Sequence, residues 1–126
     1  MRAELDHLIL AVNDVKASVD FYTRILGFTY EGERPPFSTV RVTPGFILQL
    51  APWGTKGGEH LAFAFDRETF DQVFARLRAA GIAYGDAFEA VGNMRGPGTA
   101  AGARGASQSV YCFDPSRHLI EITYYA

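Results

Sequence analysis

The segment Leu5-Asp6-His7-Leu8-Ile9-Leu10-Ala11-Val12 returns in the second half of the chain as Gly58-Glu59-His60-Leu61-Ala62-Phe63-Ala64-Phe65. Each copy is followed by an acidic residue and a short amphipathic stretch that stops at a glycine, Gly27 in the first copy and Gly81 in the second. An internal repeat in a chain of 126 residues implies two copies of one supersecondary unit packed together. The repeat also puts a histidine at the same place in each copy, in the middle of an otherwise apolar strand. Two histidines related in this way point to a shared site, and a metal ion is the first chemistry that needs both.

Within the first copy, residues 4–12 alternate as a strand, with Leu5, His7 and Ile9 on one face and Leu8, Leu10 and Val12 on the other. Apolar residues on both faces predict a strand covered on both sides. Asn13 or Asp14 can cap a following helix that buries Val15, Ser18, Val19, Tyr22, Ile25 and Leu26, and Gly27 ends it. Strands are expected over 28–33, 38–43 and 46–51, punctuated by Pro35-Pro36 and Pro44-Gly45. The second copy repeats this order. A strand at 59–65 and a cap at Asp66 lead into a helix burying Phe70, Val73, Phe74 and Leu77. A strand at 82–91 follows, and then a hairpin of 107–113 and 118–125 across Asp114-Pro115-Ser116-Arg117. The glycine-rich segment 92–106 reads as a mobile loop. The chain is thus one domain, 1–126, built from a module at about 4–52 and a second at about 58–125, each strand–helix–three strands.

A formal net charge of −2 gives no basic footprint, so neither nucleic acid nor an anionic membrane surface is expected as a partner. The single cysteine, Cys112, excludes an intrachain disulfide and fits a reducing compartment. No signal-like segment or apolar run of spanning length is present in the sequence, so a cytoplasmic location is expected.

If His7 and His60 sit on equivalent first strands, the last strands of the two modules should also correspond. Each carries one polar residue among apolar ones, Gln49 in the first and Glu121 in the second. A carboxylate in the middle of an apolar strand needs something to compensate its charge. Two imidazoles and one carboxylate around a divalent cation would do so while leaving positions free for substrate, and they suit Fe, Mn, Ni, Co or Zn. Gln49 would complete that sphere or flank it. Strand parity puts Ser109 and Tyr111 on the same side as Glu121, where their hydroxyls could orient a substrate. Cys112 alternates away and is expected buried and inert, and His118, beside the hairpin turn, is expected exposed. The only charges in the glycine-rich segment are Arg95 and Arg104, which suit a carboxylate or phosphate tail on the substrate.

Leu5-Asp6-His7, Phe21-Tyr22 and Leu26-Gly27-Phe28, together with Val110-Tyr111-Cys112-Phe113-Asp114-Pro115 and Leu119-Ile120-Glu121, resemble the vicinal oxygen chelate superfamily. Glyoxalase I, type I extradiol dioxygenases, fosfomycin-resistance thiol transferases and bleomycin-resistance proteins belong to it. The resemblance covers essentially the whole chain and implies an α+β fold. Two βαβββ modules would curl into an eight-stranded cup, with helices outside and a divalent metal inside on His7, His60 and Glu121. The segment 92–106 would then cover the mouth of the cup. Long sheet edges predict a homodimer. In similar small members the first module of one chain pairs with the second of another, so His7 would come from one subunit and His60 with Glu121 from its mate.

Departures separate the subfamilies. Where glyoxalase I has a carboxylate as ligand and base, this chain has Gln49, which cannot take a proton. The extradiol signature keeps Tyr111, Asp114, Pro115 and Glu121 here. Its upstream histidine is replaced by Gly102-Ala103-Arg104, and its turn glycine by Arg117. Ile9 stands where the fosfomycin transferases have threonine. The overall match is to an uncharacterised glyoxalase-like group. The resemblance therefore implies a metal-dependent enzyme acting on a small metabolite that chelates through adjacent oxygens. Glyoxalase-like lyase or isomerase chemistry leads, and an extradiol-type dioxygenase comes second. A bleomycin-resistance-like binding protein is the alternative from another class, and such binders need no metal triad.

Overall fold

Each copy of the repeat folds into its own α+β unit in the computed structural model, which describes residues 2–126. One unit ends at Lys56 and the other spans Gly57–Ala126. In the first, strand β1 (His7–Ala11) precedes helix α1 (Val15–Asp20), which runs on into a π-helical turn at Phe21–Ile25. Strands β2 (Thr29–Arg34), β3 (Phe37–Thr43) and β4 (Phe46–Ala51) follow. The sheet order is β1-β4-β3-β2, with β1 parallel to β4 and the other pairs antiparallel. Asp14 is the cap of α1, its carboxylate accepting from the Ala17 amide at 2.9 Å. Asn13 instead ties the unit's end down, accepting from the Thr55 amide at 2.8 Å and donating to the Thr55 carbonyl at 3.0 Å.

Leu10, Val12, Val40, Leu48 and Leu50 are buried along with Tyr22 and Leu26. The alternate residues of β1 are not, for Ile9 is 41% exposed and His7 is also exposed. The expected cover on both faces of this strand therefore needs correcting. An apolar side chain that is left exposed has the same sequence signature as one that faces the core.

The second unit repeats the plan with β5 (His60–Ala64), α2 (Arg67–Ala79), β6 (Tyr84–Gly85), β7 (Gly98–Gly102), β8 (Gly105–Phe113) and β9 (Leu119–Tyr125). Its order is β5-β9-β8-β6, with β5 parallel to β9 and β7 also paired to β8. Asp66 caps α2 through the Thr69 amide at 2.7 Å, and Phe70, Val73, Phe74 and Leu77 are its buried residues, as the periodicity predicts. Among the described residues no helix is long and apolar enough to cross a membrane.

Two expectations fail in this unit. The strand at 82–91 shrinks to Tyr84–Gly85 because the chain turns back on it. The amides of Gly92 and Met94 both donate to the Tyr84 carbonyl, at 3.0 and 2.9 Å, and Phe88–Ala90 forms a short 3-10 turn. The segment 92–106 is no simple loop either, since Gly98–Gly102 is a strand in register with β8. Its glycines serve close packing: a Cβ on Gly98 would collide with the Asp86 carbonyl.

Cys112 lies on β8 at 1% exposure, and burial pushes its thiol up to about 12. The folded state thus holds a proton that the unfolded chain releases near the ordinary value of 9.0. The corresponding stability is complete below pH 9 and falls as pH rises toward 12, by about 1.4 kcal/mol per pH unit. Cys112→Ala should flatten that alkaline decline in urea titrations at pH 8 to 11. An unchanged pH slope would show that the thiol does not contribute.

Candidate metal centre

The pairing registers of the two units superimpose residue for residue. In the first, β4 sets Gln49 between Ile9 of β1 and Thr39 of β3, and His7 opposes Ile47. In the second, β9 sets Glu121 between Ala62 of β5 and Tyr111 of β8, and His60 opposes Leu119. Residues directly opposite, or two apart, share a sheet face. His60, Glu121, Tyr111 and Ser109 therefore lie on one face, and His7, Gln49 and Thr39 occupy the corresponding places in the first unit. The periodic pattern predicts Tyr111 and Ser109 there. The match of Thr39 to Tyr111 is visible only once the register is known.

His60 Nε2 lies 3.0 Å from Glu121 Oε1, and the two side chains are 49% and 11% exposed. Behind them, Ser109 Oγ lies 2.8 Å from Glu121 Oε2 and equally 2.8 Å from Thr123 Oγ1, which donates to the Gln108 carbonyl at 3.0 Å. Ser109 has one proton, and the carboxylate is the stronger acceptor. Fully buried, Ser109 thus holds Glu121 in place rather than meeting a substrate. The Tyr111 hydroxyl also engages Glu121. Burial, and then the charge and hydrogen bond of Glu121, raise its pKa above the usual 10.0. Tyr111 is therefore a neutral proton donor at pH 7. Its ring centroid is 6.4 Å from that of His60.

These residues open on a cavity of about 630 Å³ within the second unit. Ala62, Ala64, Ala100 and Gly102 give it small-residue walls, and Phe88, Tyr111 and Tyr125 add aromatic ones. Asp86, Glu89 and Glu121 are its acids, and no lysine or arginine is among its lining residues. Arg104 stands behind Tyr125, its guanidinium 4.3 Å above that ring and its amide donating to the Tyr125 hydroxyl at 3.4 Å. Arg95 lies in an exposed turn, its amide donating to Asn93 Oδ1 at 2.9 Å. His118 contradicts the expectation of exposure. It is 1% exposed, and its Nδ1 accepts from the Glu59 amide at 3.2 Å.

In the first unit the His7 side chain is half exposed, with Nδ1 2.9 Å from Asp6 Oδ2, and Gln49 is half-buried. The Thr39 hydroxyl is buried with no hydrogen-bond partner among the described residues. Nor do the described residues gather a group of three or more His, Cys, Asp or Glu that could hold a metal ion. The second unit brings together two. Ligand atoms about 2.1 Å from a metal and at right angles to each other lie about 3.0 Å apart. That is the His60–Glu121 separation, so the pair fits two adjacent positions of a site that still lacks a third ligand. The same contact serves as a hydrogen bond that compensates the Glu121 charge when no cation is there.

A family model described as the Glyoxalase/Bleomycin resistance protein/Dioxygenase superfamily matches residues 4–122. The virulence protein STM3117 of Salmonella typhimurium is 29% identical over 130 residues, covering 96% of this chain and 83% of that protein. Among solved structures, the oxidase ChaP-H2 is similar at 29% identity and a TM-score of 0.83, covering 100% of this chain and 96% of the other. The oxidase ChaP-H1 is similar at 27% and 0.81, covering 99% and 98%.

Proposed function

This chain belongs to the glyoxalase/bleomycin resistance protein/dioxygenase superfamily, and on that footing we propose that it is a divalent-metal-dependent enzyme. Its substrate is a small metabolite that chelates through adjacent oxygens, oxidised with dioxygen as the oxidant. The observation that carries this reading is the 3.0 Å approach of His60 Nε2 and Glu121 Oε1 on the face of the cavity, beside a neutral Tyr111. Oxidative chemistry comes ahead of glyoxalase-like isomerisation for two reasons. Gln49 stands where the isomerase needs a base, and similarity at 27% and 29% runs to proteins named oxidases.

His60 and Glu121 hold the ion, with His7 as the third ligand and Gln49 beside it. A divalent cation there supplies Lewis-acid polarisation of chelated oxygens, and a redox-active one such as Fe(II) also supplies electrons. Tyr111 donates its proton to a substrate oxygen as negative charge develops there. Ser109 keeps the Glu121 carboxylate turned toward the cavity. Protein loaded separately with Fe(II), Mn(II), Ni(II), Co(II) and Zn(II) and offered catechols, enediols and hemithioacetals tests the reading. Oxygen uptake stoichiometric with substrate loss supports oxidation. Turnover of a hemithioacetal without oxygen uptake supports the isomerase instead.

Tyr111→Phe should leave metal affinity intact and lower kcat by roughly 100-fold, as expected when a positioned proton donor is removed. A Phe variant with unchanged kcat would remove Tyr111 from the chemistry.

His7 is proposed to come from a second copy of the chain, in a homodimer that covers open sheet edges. His7→Ala and Glu121→Ala proteins, each defective alone, should recover about a quarter of the intact sites when refolded together in equal amounts, from random pairing of two exchanged halves. No recovery would contradict the exchange, and a monomer by light scattering at micromolar concentration would contradict the dimer.

A further inference from the structure

The turn that joins β8 to β9 grips the chain immediately ahead of His60. Asp114 locks the turn, its carboxylate accepting from the amides of Ser116 and His118, both at 2.9 Å. The Asp114 amide donates to the His118 carbonyl at 3.0 Å, and that of Arg117 to the Asp114 carbonyl at 3.1 Å. From this rigid turn three bonds reach the approach to β5. The Gly58 amide donates to the Arg117 carbonyl at 3.3 Å, the Glu59 amide to His118 Nδ1 at 3.2 Å, and the Leu119 amide to the Glu59 carbonyl at 2.8 Å. Gly57 passes beneath at a φ of 86°, where a Cβ would collide with the Arg117 carbonyl. Two of these three bonds are main chain to main chain. The third depends on one side chain, buried at 1% exposure.

We propose that His118 is a positioning residue for His60: by accepting the Glu59 amide it fixes the start of β5 and with it the place of the His60 imidazole against Glu121. The inference rests on reading His60 and Glu121 as a ligand pair. It goes beyond that reading by assigning their alignment to a residue outside the pair. An apolar side chain in place of His118 removes the acceptor of the half-buried Glu59 bond, and the freed amide turns to another acceptor or to solvent. His60 is the next residue, so its ring moves with that amide. The Leu119 bond uses the Glu59 carbonyl and so does not hold this amide.

The test compares full-length wild type with His118→Leu, which keeps bulk but has no acceptor, and His118→Asn, whose Oδ1 can accept the same amide. Zn(II) affinity is read by calorimetry well below each melting temperature. The contact between the His60 and Tyr111 rings is read by nuclear Overhauser cross-peaks without metal. His118→Leu should weaken Zn(II) binding about 10–100-fold, as outer partners of ligands do, and lose the cross-peak. His118→Asn should restore most of both. A His118→Leu protein that is less stable but binds Zn(II) as tightly and keeps the cross-peak overturns the proposal, leaving His118 as packing alone. Should wild type itself bind no Zn(II), the ligand reading falls and the cross-peak alone decides the positioning role. If His118→Leu does not fold, the wild type still answers, because the Glu59 amide must show a nitrogen–nitrogen scalar coupling to His118 Nδ1. Its absence overturns the proposal.

Discussion

Glu121→Gln should cost the protein its metal while sparing its fold. The amide has the carboxylate's shape and keeps an oxygen for the Ser109 hydroxyl, which lies 2.8 Å from Glu121 Oε2. It cannot bring the negative charge that a divalent ion needs from this position. Affinity for Zn(II), Mn(II) or Ni(II) should therefore fall by more than the roughly 10–100-fold that follows loss of an outer partner. Thermal stability should change little, because a buried carboxylate costs desolvation that a buried amide largely avoids. If Glu121 were only the partner of His60 in a structural ion pair, the reverse would hold. Melting temperature would drop, and whatever metal the protein bound would be bound as before. Calorimetry and a melting curve on the same two proteins separate these outcomes.

Phe70→Ala should produce the largest loss of stability. Phe70 is fully buried on α2, with its ring edge-on to Tyr124 at 4.8 Å and 6.2 Å from Phe74. Arg67 closes the outside of the cluster, its guanidinium 4.9 Å above the Tyr124 ring. Truncation removes a ring from a packed site that cannot fully collapse, at a cost of about 3–5 kcal/mol. A domain of this size has about 5–15 kcal/mol in hand. The melting temperature should therefore fall by on the order of 10 °C. A loss below about 1 kcal/mol in urea titration would mean that α2 does not depend on this ring.

The repeat makes much of this fold legible in the sequence. It pairs His7 with His60 and Gln49 with Glu121, and the strand registers agree at each of those positions. The cap at Asp66, a cap at Asn13 or Asp14 that the structure resolves to Asp14, and the buried residues of α2 follow from local chemistry that tertiary packing has no reason to override. Two of the misses share one cause. A glycine-rich segment reads as a free loop, whereas Gly98 and Gly102 allow β7 to approach its neighbours closely, at places where a Cβ would meet Asp86 or Tyr125. His118 reads as exposed because it adjoins a turn, but a turn that packs onto another strand buries its last residue. Both errors concern which backbone lies against which, and a pattern of single residues does not carry that information. The open face of β1 is a third case, because Ile9 reads as core from its identity alone. The donors around Glu121 lay between these extremes. Parity put Ser109 and Tyr111 on the right face, but only the geometry shows Ser109 buried behind the carboxylate and Tyr111 beside it on the cavity.

The claim on which all of this turns is that His60 and Glu121, with His7, hold a divalent cation. Elemental analysis of wild-type protein purified without a histidine tag, followed by calorimetric titration of metal-stripped wild type and His60→Ala, tests it most directly. The expected result is one divalent ion for each set of His7, His60 and Glu121 in wild type. His60→Ala should be folded and show no comparable binding. Equal affinity of the two proteins for Ni(II), Mn(II) and Zn(II) would contradict it and leave the His60–Glu121 contact as a structural hydrogen bond.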